Sequence, residues 1–328
     1  VSTTFTVRNT NSTDSLLYKV KLEITSIANE LKDETFKYTL VKDNKVVKTG
    51  NLKDAINGNT LILNTSSLDK GSTSRPKIST FKLYFWLDGN MENNSNMMNK
   101  SLVGKIDVGV ETNVLTNTES SISSTSKFLN TEVPRQNIKT LKYVDNLNIP
   151  EGATVVDVSK NGDNTIKMWY NEADANGNYD ITIGSNNIIY ANPTPYMFKW
   201  FTNVTLLDLS NLDTSGITDM TGMFAHTKNL TKIIFGEHFN TSNVTTMLEM
   251  FLGSNIKEID LSSFDTSNVM NMDGMFRQCN FSKLDLSNFN TSKLKSAKLM
   301  FQRNGNIDVI DLSNADFTNL TTSTGMFE

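Results

Sequence analysis

The sequence predicts a mainly β protein with short helices, in which an N-terminal β-sandwich precedes a solenoid with a parallel sheet and a β-rich N-terminal cap. The first third of the chain alternates apolar and polar residues in short runs between turn-forming segments. The last third repeats a Met-Phe pair at nearly constant spacing. We therefore divide the 328 residues into four parts: a sandwich (1–112), a Ser/Thr/Asn-rich linker (113–137), a cap (138–196) and a solenoid of about five 25–27-residue repeats (197–328).

Seven strand-like runs occupy the sandwich segment, which is typical of an immunoglobulin-like module. They are Thr3–Arg8, Leu16–Thr25, Phe36–Val41, Val46–Thr49, Thr60–Leu63, Ile78–Leu87 and Leu102–Val110. Asp43-Asn44 lies where a hairpin turn is expected. The Asn- and Met-rich segment from Gly89 to Lys100 predicts a loop, and Trp86 is expected to anchor the core.

The cap is predicted from five further strand-like runs between the linker and the repeats. They are Lys139–Val144, Thr154–Val158, Thr165–Tyr170, Tyr179–Ile183 and Asn187–Tyr190. A stack of repeats needs a cover at its end that differs from the repeats themselves. The linker is predicted from more than about 15 residues of Thr, Ser and Asn without a strand pattern.

Three marks recur in phase through the last third of the chain. The Met-Phe pairs begin at residues 197, 223, 250, 275, 300 and 326, so their spacings are 26, 27, 25, 25 and 26 residues. An Asp-Thr-Ser or Asn-Thr-Ser triplet lies ten residues before the Met of the next four pairs, and a Leu-Asp-Leu-Ser segment or a variant precedes it. A period of this length indicates a solenoid, in which each repeat covers the apolar face of its neighbour.

The unit Asn255–Cys279 shows what one repeat is expected to form. Its first half alternates apolar and polar residues as a short strand does; the apolar residues are Ile256, Ile259 and Leu261. Ser267 is expected to cap a helix. The helix is predicted by a buried apolar stripe at helical spacing: Val269, Met272, Met275 and Phe276. One strand and one short helix per repeat is the plan of leucine-rich repeats.

The first residue of each triplet is expected to have a structural role. Asp and Asn alternate there, and Asp316 holds the place in the last unit. Since Asp and Asn share an acceptor oxygen, we expect this side chain to accept backbone N–H groups in the turn after the strand.

The outward strand positions form the candidate ligand face. Its two columns are Asp208, Asp260, Asp285 and Asp311, and Ser210, Ser262, Ser287 and Ser313. Carboxylates on neighbouring strands about 4.8 Å apart repel each other unless water or cations screen them, so the columns predict either a solvated face or a surface for a ligand or cation. Ile234, Phe235 and Gly236 replace Asp, Leu and Ser in the second repeat. Ile234 is therefore expected to be an exposed apolar contact site.

The repeats resemble the 26-residue repeats of Gram-positive and mycoplasma surface proteins and lipoproteins, which are grouped with BspA-like leucine-rich repeats. The matching motif is L-D-L-S-x-F-[DN]-T-S-x-V-x-x-M-x-x-M-F. Leu284–Phe301 follows this motif except at Leu294 and Ala297, and the resemblance extends over about residues 138–328. It implies a surface-exposed, non-catalytic protein, for which adhesion is the usual role, and it implies no particular ligand.

The N-terminal part resembles the immunoglobulin-like sandwich modules of secreted Firmicute proteins, including the camelysin and TasA group of biofilm-fibre proteins. The features that carry this resemblance are Phe5-Thr6-Val7 with Asn9-Thr10, Phe85-Trp86-Leu87-Asp88 and Gly104-Lys105-Ile106. It implies a second function, a structural subunit of an extracellular matrix or fibre, in which the sandwich carries self-association.

No residue set predicts a catalytic, cofactor-binding or metal site. Four alternating oxygen ligands suggest a calcium loop: Asp174, Asn176, Asn178 and Asp180. However, Tyr179 occupies the sixth position, where an EF-hand has Gly, and no acidic residue follows at the twelfth. Asn176-Gly177 more simply predicts the tip of a hairpin.

The remaining candidates for chemistry are isolated. His226 and His238 are the two histidines, and they occupy different phases of neighbouring repeats. Cys279 is the one cysteine, which excludes an intramolecular disulfide, and other repeats place Thr227, Ser254 or Asn304 at the same phase. We expect a position for small residues there, not a nucleophile.

Charge and composition agree with an extracellular binding protein. The net charge is −4 and no basic run is present, which argues against nucleic acid as a partner. Neither a signal peptide nor a transmembrane segment is evident, so we expect a processed or partial chain. We expect a non-enzymatic protein, secreted, at the cell surface or wall-associated, whose repeat sheet binds a host protein or glycan. The alternative is the self-associating fibre subunit.

Overall fold

The computed structural model shows a mainly β chain with several sheets, which divides into two compact units, 1–111 and 112–328. The helices in the described part of the chain are three single turns of 3-10 helix, Asn29–Leu31, Phe128–Asn130 and Arg135–Asn137. The structure describes residues 2–9, 16–32, 36–52, 60–68, 76–87, 102–110, 113–116, 122–193 and 195–328.

The first unit contains all seven strands predicted from apolar alternation. They are β1 (Ser2–Asn9), β2 (Leu16–Ile27), β3 (Phe36–Lys42), β4 (Lys45–Asn51), β5 (Thr60–Leu68), β6 (Lys77–Leu87) and β7 (Leu102–Val110). Asp43 and Asn44 connect β3 to β4 with φ of 48° and 66°. Two positive φ values define a type I′ hairpin turn, so the turn prediction is confirmed. The loop predicted for Gly89–Lys100 lies outside the described residues.

These strands form two antiparallel sheets around one hydrophobic cluster. The four-stranded sheet has the order β1-β6-β3-β4 and the three-stranded sheet the order β5-β2-β7. Tyr18 and Val20 of β2 pack in the same cluster as Tyr38 of β3 and Phe81 of β6. In an immunoglobulin domain the seventh strand pairs with the sixth, whereas β7 here pairs with β2. The strand order therefore differs from the immunoglobulin-like order that the sequence suggested.

The expectation that Trp86 anchors the core is wrong. Its side chain is 39% exposed, whereas Phe81 and Leu83 on the same strand are buried. Successive side chains of a strand point to opposite faces, and Trp86 is an odd number of residues away from both buried positions. The hydrophobicity of the run marked the strand correctly but did not show which face Trp86 occupies.

The linker predicted for 113–137 is, where the structure describes it, part of the second unit. Val114 pairs with Tyr190 and Leu115 with Ser159, and both of these apolar side chains are buried. Phe128 is also buried, and its ring lies edge-on to Phe201 at 5.0 Å. A few apolar residues at wide intervals are enough to fix this polar segment, because each one enters the core of the second unit.

The described part of the second unit contains ten strands. They are β8 (Ile138–Val144), β9 (Thr154–Asp157), β10 (Lys167–Tyr170), β11 (Tyr179–Gly184), β12 (Ile189–Tyr190), β13 (Leu206–Asp208), β14 (Leu212–Asp213), β15 (Lys232–Ile234), β16 (Lys283–Asp285) and β17 (Val309–Asp311). The five strands predicted between 138 and 190 are all present. Six strands form one sheet of order β15-β13-β8-β11-β10-β9, in which β11, β8, β13 and β15 are parallel. The sheet of the cap thus continues into the first repeats.

Successive repeats lie side by side in parallel. Strand β16 pairs in parallel with β17, and single parallel bridges connect one residue of each repeat to the next: Asp219, Thr246, Asn271, Ser296 and Thr322. The strand predicted around Ile259 in the third repeat does not form, which interrupts the strand ladder after β15. The alternation of burial nevertheless persists there, since Leu261 is buried and Asp260 is exposed.

The phenylalanines of the Met-Phe pairs stack on one another from repeat to repeat. Neighbouring ring centroids are 5.2 to 5.8 Å apart and the rings are within 21° of parallel. The stacked residues are Phe198, Phe224, Phe251, Phe276, Phe301 and Phe327. The prediction that the Met and Phe stripe is core is confirmed, because Met272, Met275 and Phe276 are fully buried.

The short helix predicted over Val269–Phe276 does not form. Every second N–H group donates instead to a C=O group of the next repeat: Met272 to Ser296, Gly274 to Lys298 and Phe276 to Met300, at 2.8 to 3.0 Å. An α-helix needs those N–H groups for its own carbonyls. Ser267 consequently caps no helix, and its N–H donates to the carboxylate of Asp265 at 2.9 Å.

Each of these segments is a Met-Phe turn, by which we mean residues 196–200, 222–226, 249–253, 274–278, 299–303 and 325–328. The residue before each Met and the third residue after it have φ between 54° and 66°. They are Tyr196, Gly222, Glu249, Gly274, Leu299 and Gly325, and Trp200, His226, Gly253, Gln278 and Arg303. Left-handed backbone cannot continue a right-handed helix, which is the second reason that no helix forms.

Arg135 completes the first Met-Phe turn. In later turns the C=O groups of Met223 and Ala225 accept N–H groups from the preceding repeat. The first turn has no preceding repeat, and the buried Arg135 guanidinium donates to the equivalent C=O groups of Met197 and Lys199 at 2.9 and 3.1 Å. A side chain thus replaces the backbone donors of a repeat.

Candidate ligand face

The parallel register brings the predicted outward residues of the first strands into one row. Asp208 of β13 lies between Lys142 of β8 and Ile234 of β15. The residue before each of them points inward, and Leu207 is fully buried. The expectation that Ile234 occupies the Asp column is therefore confirmed by the register. Its side chain is half-buried, which corrects the expectation that it is exposed.

Each aspartate of the column is hydrogen-bonded to the serine of its own repeat. The Oδ1 atom accepts the backbone N–H of the serine two residues later: Ser210 to Asp208, Ser262 to Asp260, Ser287 to Asp285 and Ser313 to Asp311, at 2.9 to 3.1 Å. This is an Asx turn, which ends a strand by satisfying the next free N–H. The Asp and Ser columns thus have a local structural role in addition to any ligand contact.

These hydrogen bonds also affect the ionisation of two aspartates of the column, Asp260 and Asp285. The Ser262 hydroxyl and N–H lower the pKa of Asp260, and those of Ser287 lower the pKa of Asp285, where Lys283 adds a smaller effect. A donor to the charged form favours that form. Both carboxylates are therefore ionised at neutral pH, whereas a general acid needs a raised pKa.

The second repeat departs from the pattern for a packing reason. Gly236 replaces the serine, and a Cβ atom there would lie 2.4 Å from the backbone of Ser210. Phe235 points into the core, where its ring lies 4.7 Å from Phe239 and 5.1 Å from Phe264. The second repeat thus places the apolar Ile234 beside Asp208 and carries no serine hydroxyl at position 236.

The triplets form a second set of turns. Their first residue accepts the N–H of the residue two positions later through Oδ1, at 2.8 to 3.1 Å in Asp213, Asn240, Asp265, Asn290 and Asp316. The predicted acceptor role is confirmed. The threonine that follows was not singled out from the sequence, although it is buried in each of the four triplets: Thr214, Thr241, Thr266 and Thr291. The sequence did contain a signal for this role: threonine is constant at this position, whereas the residue before it alternates between Asp and Asn.

The oxygen-rich loop before β11 is a hairpin connection between β10 and β11. The Asp174 Oδ1 atom accepts the N–H groups of Asn176 and Asn178 at 2.9 and 3.0 Å, and Oδ2 accepts the Lys139 ammonium at 3.2 Å. The Asp180 Oδ1 atom accepts the Thr140 hydroxyl. These oxygens serve the turn and the neighbouring strand. Within the described ranges, no three or more His, Cys, Asp or Glu side chains are grouped as metal ligands would be.

The isolated nucleophile candidates occupy structural positions. Cys279 is buried, its thiol donates to the C=O of Phe251 at 2.9 Å, and burial raises its pKa to about 12. Such a thiol is not a nucleophile at neutral pH. The His226 ring stacks on Trp200 at 4.0 Å, and His238 lies 3.6 Å from the Glu237 carboxylate.

The comparisons with known proteins concern the repeat segment. In the part of the chain that the structure describes, no helix has both the length and the apolar character needed to cross a membrane. No curated protein and no solved structure shows significant similarity to the chain. Two overlapping stretches within the repeats, 194–312 and 259–328, match the model of a family described as Mycoplasma protein of unknown function, DUF285.

Proposed function

We propose that this chain is a non-catalytic binding protein, secreted or held at the cell surface or wall, whose repeats form a BspA-like leucine-rich-repeat solenoid. The outer strand face of the repeats binds a host protein or glycan. One observation carries the proposal: the register places the apolar Ile234 in a row with Asp208 and Lys142 on an otherwise polar face.

An apolar side chain surrounded by polar ones has the composition of a binding hot spot. Interfaces depend on a few central anchors, and the polar rim around them excludes water. Ile234 is the apolar member of a column that holds Asp208, Asp260, Asp285 and Asp311 in the other repeats. The Asx turns keep the neighbouring strand ends in one conformation, so little side-chain or backbone ordering is needed when a partner binds.

The ionisation of the candidate groups supports a binding role over a catalytic one. The carboxylates of Asp260 and Asp285 are held in the charged form, and the thiol of Cys279 in the neutral form. Proton transfer and nucleophilic attack at neutral pH need the opposite shifts. Fixed negative charges instead favour a partner with cationic or hydrogen-donating groups at these positions.

The test replaces the anchor by the residue that the column otherwise carries. Ile234→Asp removes the apolar contact without shortening the strand. We expect at least tenfold weaker binding to immobilised host-cell proteins or glycans. Met270→Asp is the matched control, because Met270 is also an exposed apolar residue of the repeats but lies outside the strands that form this face. Equal binding by wild type and Ile234→Asp to every surface tested would remove this face as the site.

The same samples separate the fibre alternative. A self-associating subunit would form particles whose size grows with concentration, in light scattering and in electron micrographs. A binding module stays monomeric over the same range while it adheres. Growth into fibres without adhesion would replace the first function by the second.

A further inference from the structure

The outer face of the four-stranded sheet in the first unit has an unusual charge. Its strands β1, β3, β4 and β6 contain seven basic residues and no Asp or Glu. Three of them, Arg8, Lys37 and Lys82, are on the outer face, whereas the other four are in register with the core-facing side: Lys42, Lys45, Lys48 and Lys77. The whole chain has a net charge of −4, so this positive charge is local to the sheet. Local charge of one sign attracts partners of the other sign.

Two aromatic side chains lie on this face. Tyr84 and Trp86 are 38% and 39% exposed, and they point to the same side because they are two residues apart on β6. They line a shallow depression of about 450 Å³ together with residues of β1 and β3: Ser2, Thr39, Val41 and Phe85. A large exposed aromatic pair in a depression marks a contact site more often than a chance exposure does.

Hydroxyl groups flank the aromatic pair. The strand register places Ser2, Tyr84, Thr39 and Thr49 in one row across all four strands. The Thr39 and Thr49 hydroxyl oxygens are 3.0 Å apart. In the next row Thr4, Lys82 and Val41 are neighbours. One ligand can therefore contact three kinds of group on this face. The aromatic ring contacts an apolar ring face of the ligand, the hydroxyls contact the polar edge of that ring, and the ammonium pairs with a negative group.

We propose that this face, formed by Tyr84, Trp86, Thr39, Ser2 and Lys82, binds an acidic polysaccharide whose sugars carry carboxylates. The C–H face of a sugar ring is attracted to the negative face of an aromatic ring. The sugar hydroxyls exchange hydrogen bonds with the row of Ser and Thr side chains, and its carboxylate pairs with Lys82.

Two other occupants fit the observations less well. A second copy of this sheet would bring like charges together, which costs free energy at an interface. A single-stranded nucleic acid needs a continuous basic groove with successive stacking platforms, whereas this face has two aromatic rings and three basic side chains. Neither occupant uses the hydroxyl row.

The test uses the full chain and isothermal titration calorimetry with hyaluronan octasaccharide, a neutral chitin oligosaccharide and single-stranded oligothymidylate. We expect wild type to bind the acidic octasaccharide most tightly. Trp86→Ala and Tyr84→Ala should each weaken that affinity at least tenfold. Lys82→Gln should weaken binding of the acidic oligosaccharide and leave binding of the neutral one unchanged.

Ile78→Ala is the matched control. Ile78 is 45% exposed on the same strand and the same face, but six residues from Tyr84, about 20 Å along the strand. This variant should bind within twofold of wild type, and thermal melting checks that every variant is folded. No binding of the acidic octasaccharide, equal losses in Trp86→Ala and Ile78→Ala, or tighter binding of oligothymidylate would each overturn the proposal. Ile234→Asp should leave this affinity unchanged, so the two faces can fail separately.

Discussion

At the scale of single residues, the threonine of each triplet connects one repeat to the next. The Thr241 hydroxyl donates to the C=O of Asp265 at 3.0 Å and accepts the N–H of Asp265 at 2.8 Å. Thr214 and Thr291 make the same pair of bonds to Asn240 and Asp316. One buried hydroxyl therefore satisfies both backbone groups of a residue in the neighbouring repeat.

Thr241→Val should destabilise the protein by about 2–6 kcal/mol. The substitution keeps the shape but leaves a backbone N–H and C=O without their partner, at about 1–3 kcal/mol for each buried group. Urea unfolding followed by circular dichroism measures the loss. Thr241→Ser keeps the hydroxyl and should cost only about 1 kcal/mol, the value of one buried methyl. A similar loss in both variants would show that the methyl group, not the hydroxyl, holds the repeats together.

The sequence could predict the role of a residue when its hydrogen-bond partner lies in the same repeat. Asp and Asn alternate in the triplets because their acceptor serves the N–H two residues later, and that partner is visible in the local sequence. The threonine was missed because its partner lies 24 to 26 residues away. Arg135 was missed for the same reason, since its acceptors are 62 and 64 residues later.

At the scale of elements, strands were predicted well and the helix was not. Apolar alternation depends on which face of a strand is buried, and this is a local property. Apolar residues at helical spacing show only that one side of a segment is buried. Whether the N–H groups of Met272 and Gly274 bond within the segment or to the next repeat depends on the neighbour. The left-handed positions were equally hidden, because Glu249, Gln278 and Leu299 occupy them as well as Gly.

Gly274→Ala should destabilise the Met-Phe turn by about 1–2 kcal/mol, because an L-residue pays roughly that amount to adopt left-handed backbone. Gly274 has a φ of +59°, and an added Cβ would be 3.4 Å from its nearest neighbour, the Glu249 side chain. Backbone strain, not a collision, should therefore dominate. Thermal unfolding compared with wild type provides the measurement.

The control for this substitution is Gly305→Ala. Gly305 also lies among the repeats, after the Met-Phe turn 299–303, and an added Cβ there would meet nothing within 4 Å. Its φ is not among the positive values, so alanine should be neutral or slightly stabilising by restricting the unfolded chain. If both variants unfold at the same temperature, the left-handed conformation of the turn is not a constraint on sequence.

At the scale of the whole second unit, one hydrophobic cluster runs from Leu115 to Met326 without a central core. We therefore expect each repeat to be stabilised mainly by the two repeats beside it, as in repeat arrays. The regular spacing of the Met-Phe pairs made this stacking predictable. The contribution of the segment before Ile138 to this buried cluster was not predictable. The segment is mostly polar, so its composition did not indicate that Phe128 and Arg135 are buried.

If neighbouring repeats stabilise each other, a destabilising substitution in an inner repeat should also lower the stability of the repeats beside it. A substitution at the end of the stack should not. Phe251 is fully buried and its ring stacks on Phe224 at 5.2 Å and Phe276 at 5.7 Å. Phe251→Ala should cost about 3–5 kcal/mol, the usual value for a buried Phe, and should lower amide hydrogen-exchange protection in both neighbouring repeats. Phe327 is 64% exposed, and among the described residues its ring stacks only on Phe301. Phe327→Ala should therefore cost less than about 1 kcal/mol and leave the inner repeats protected. Loss of protection confined to the repeat of Phe251 would mean that the repeats are stable one by one, and the stack would then be only a geometric arrangement.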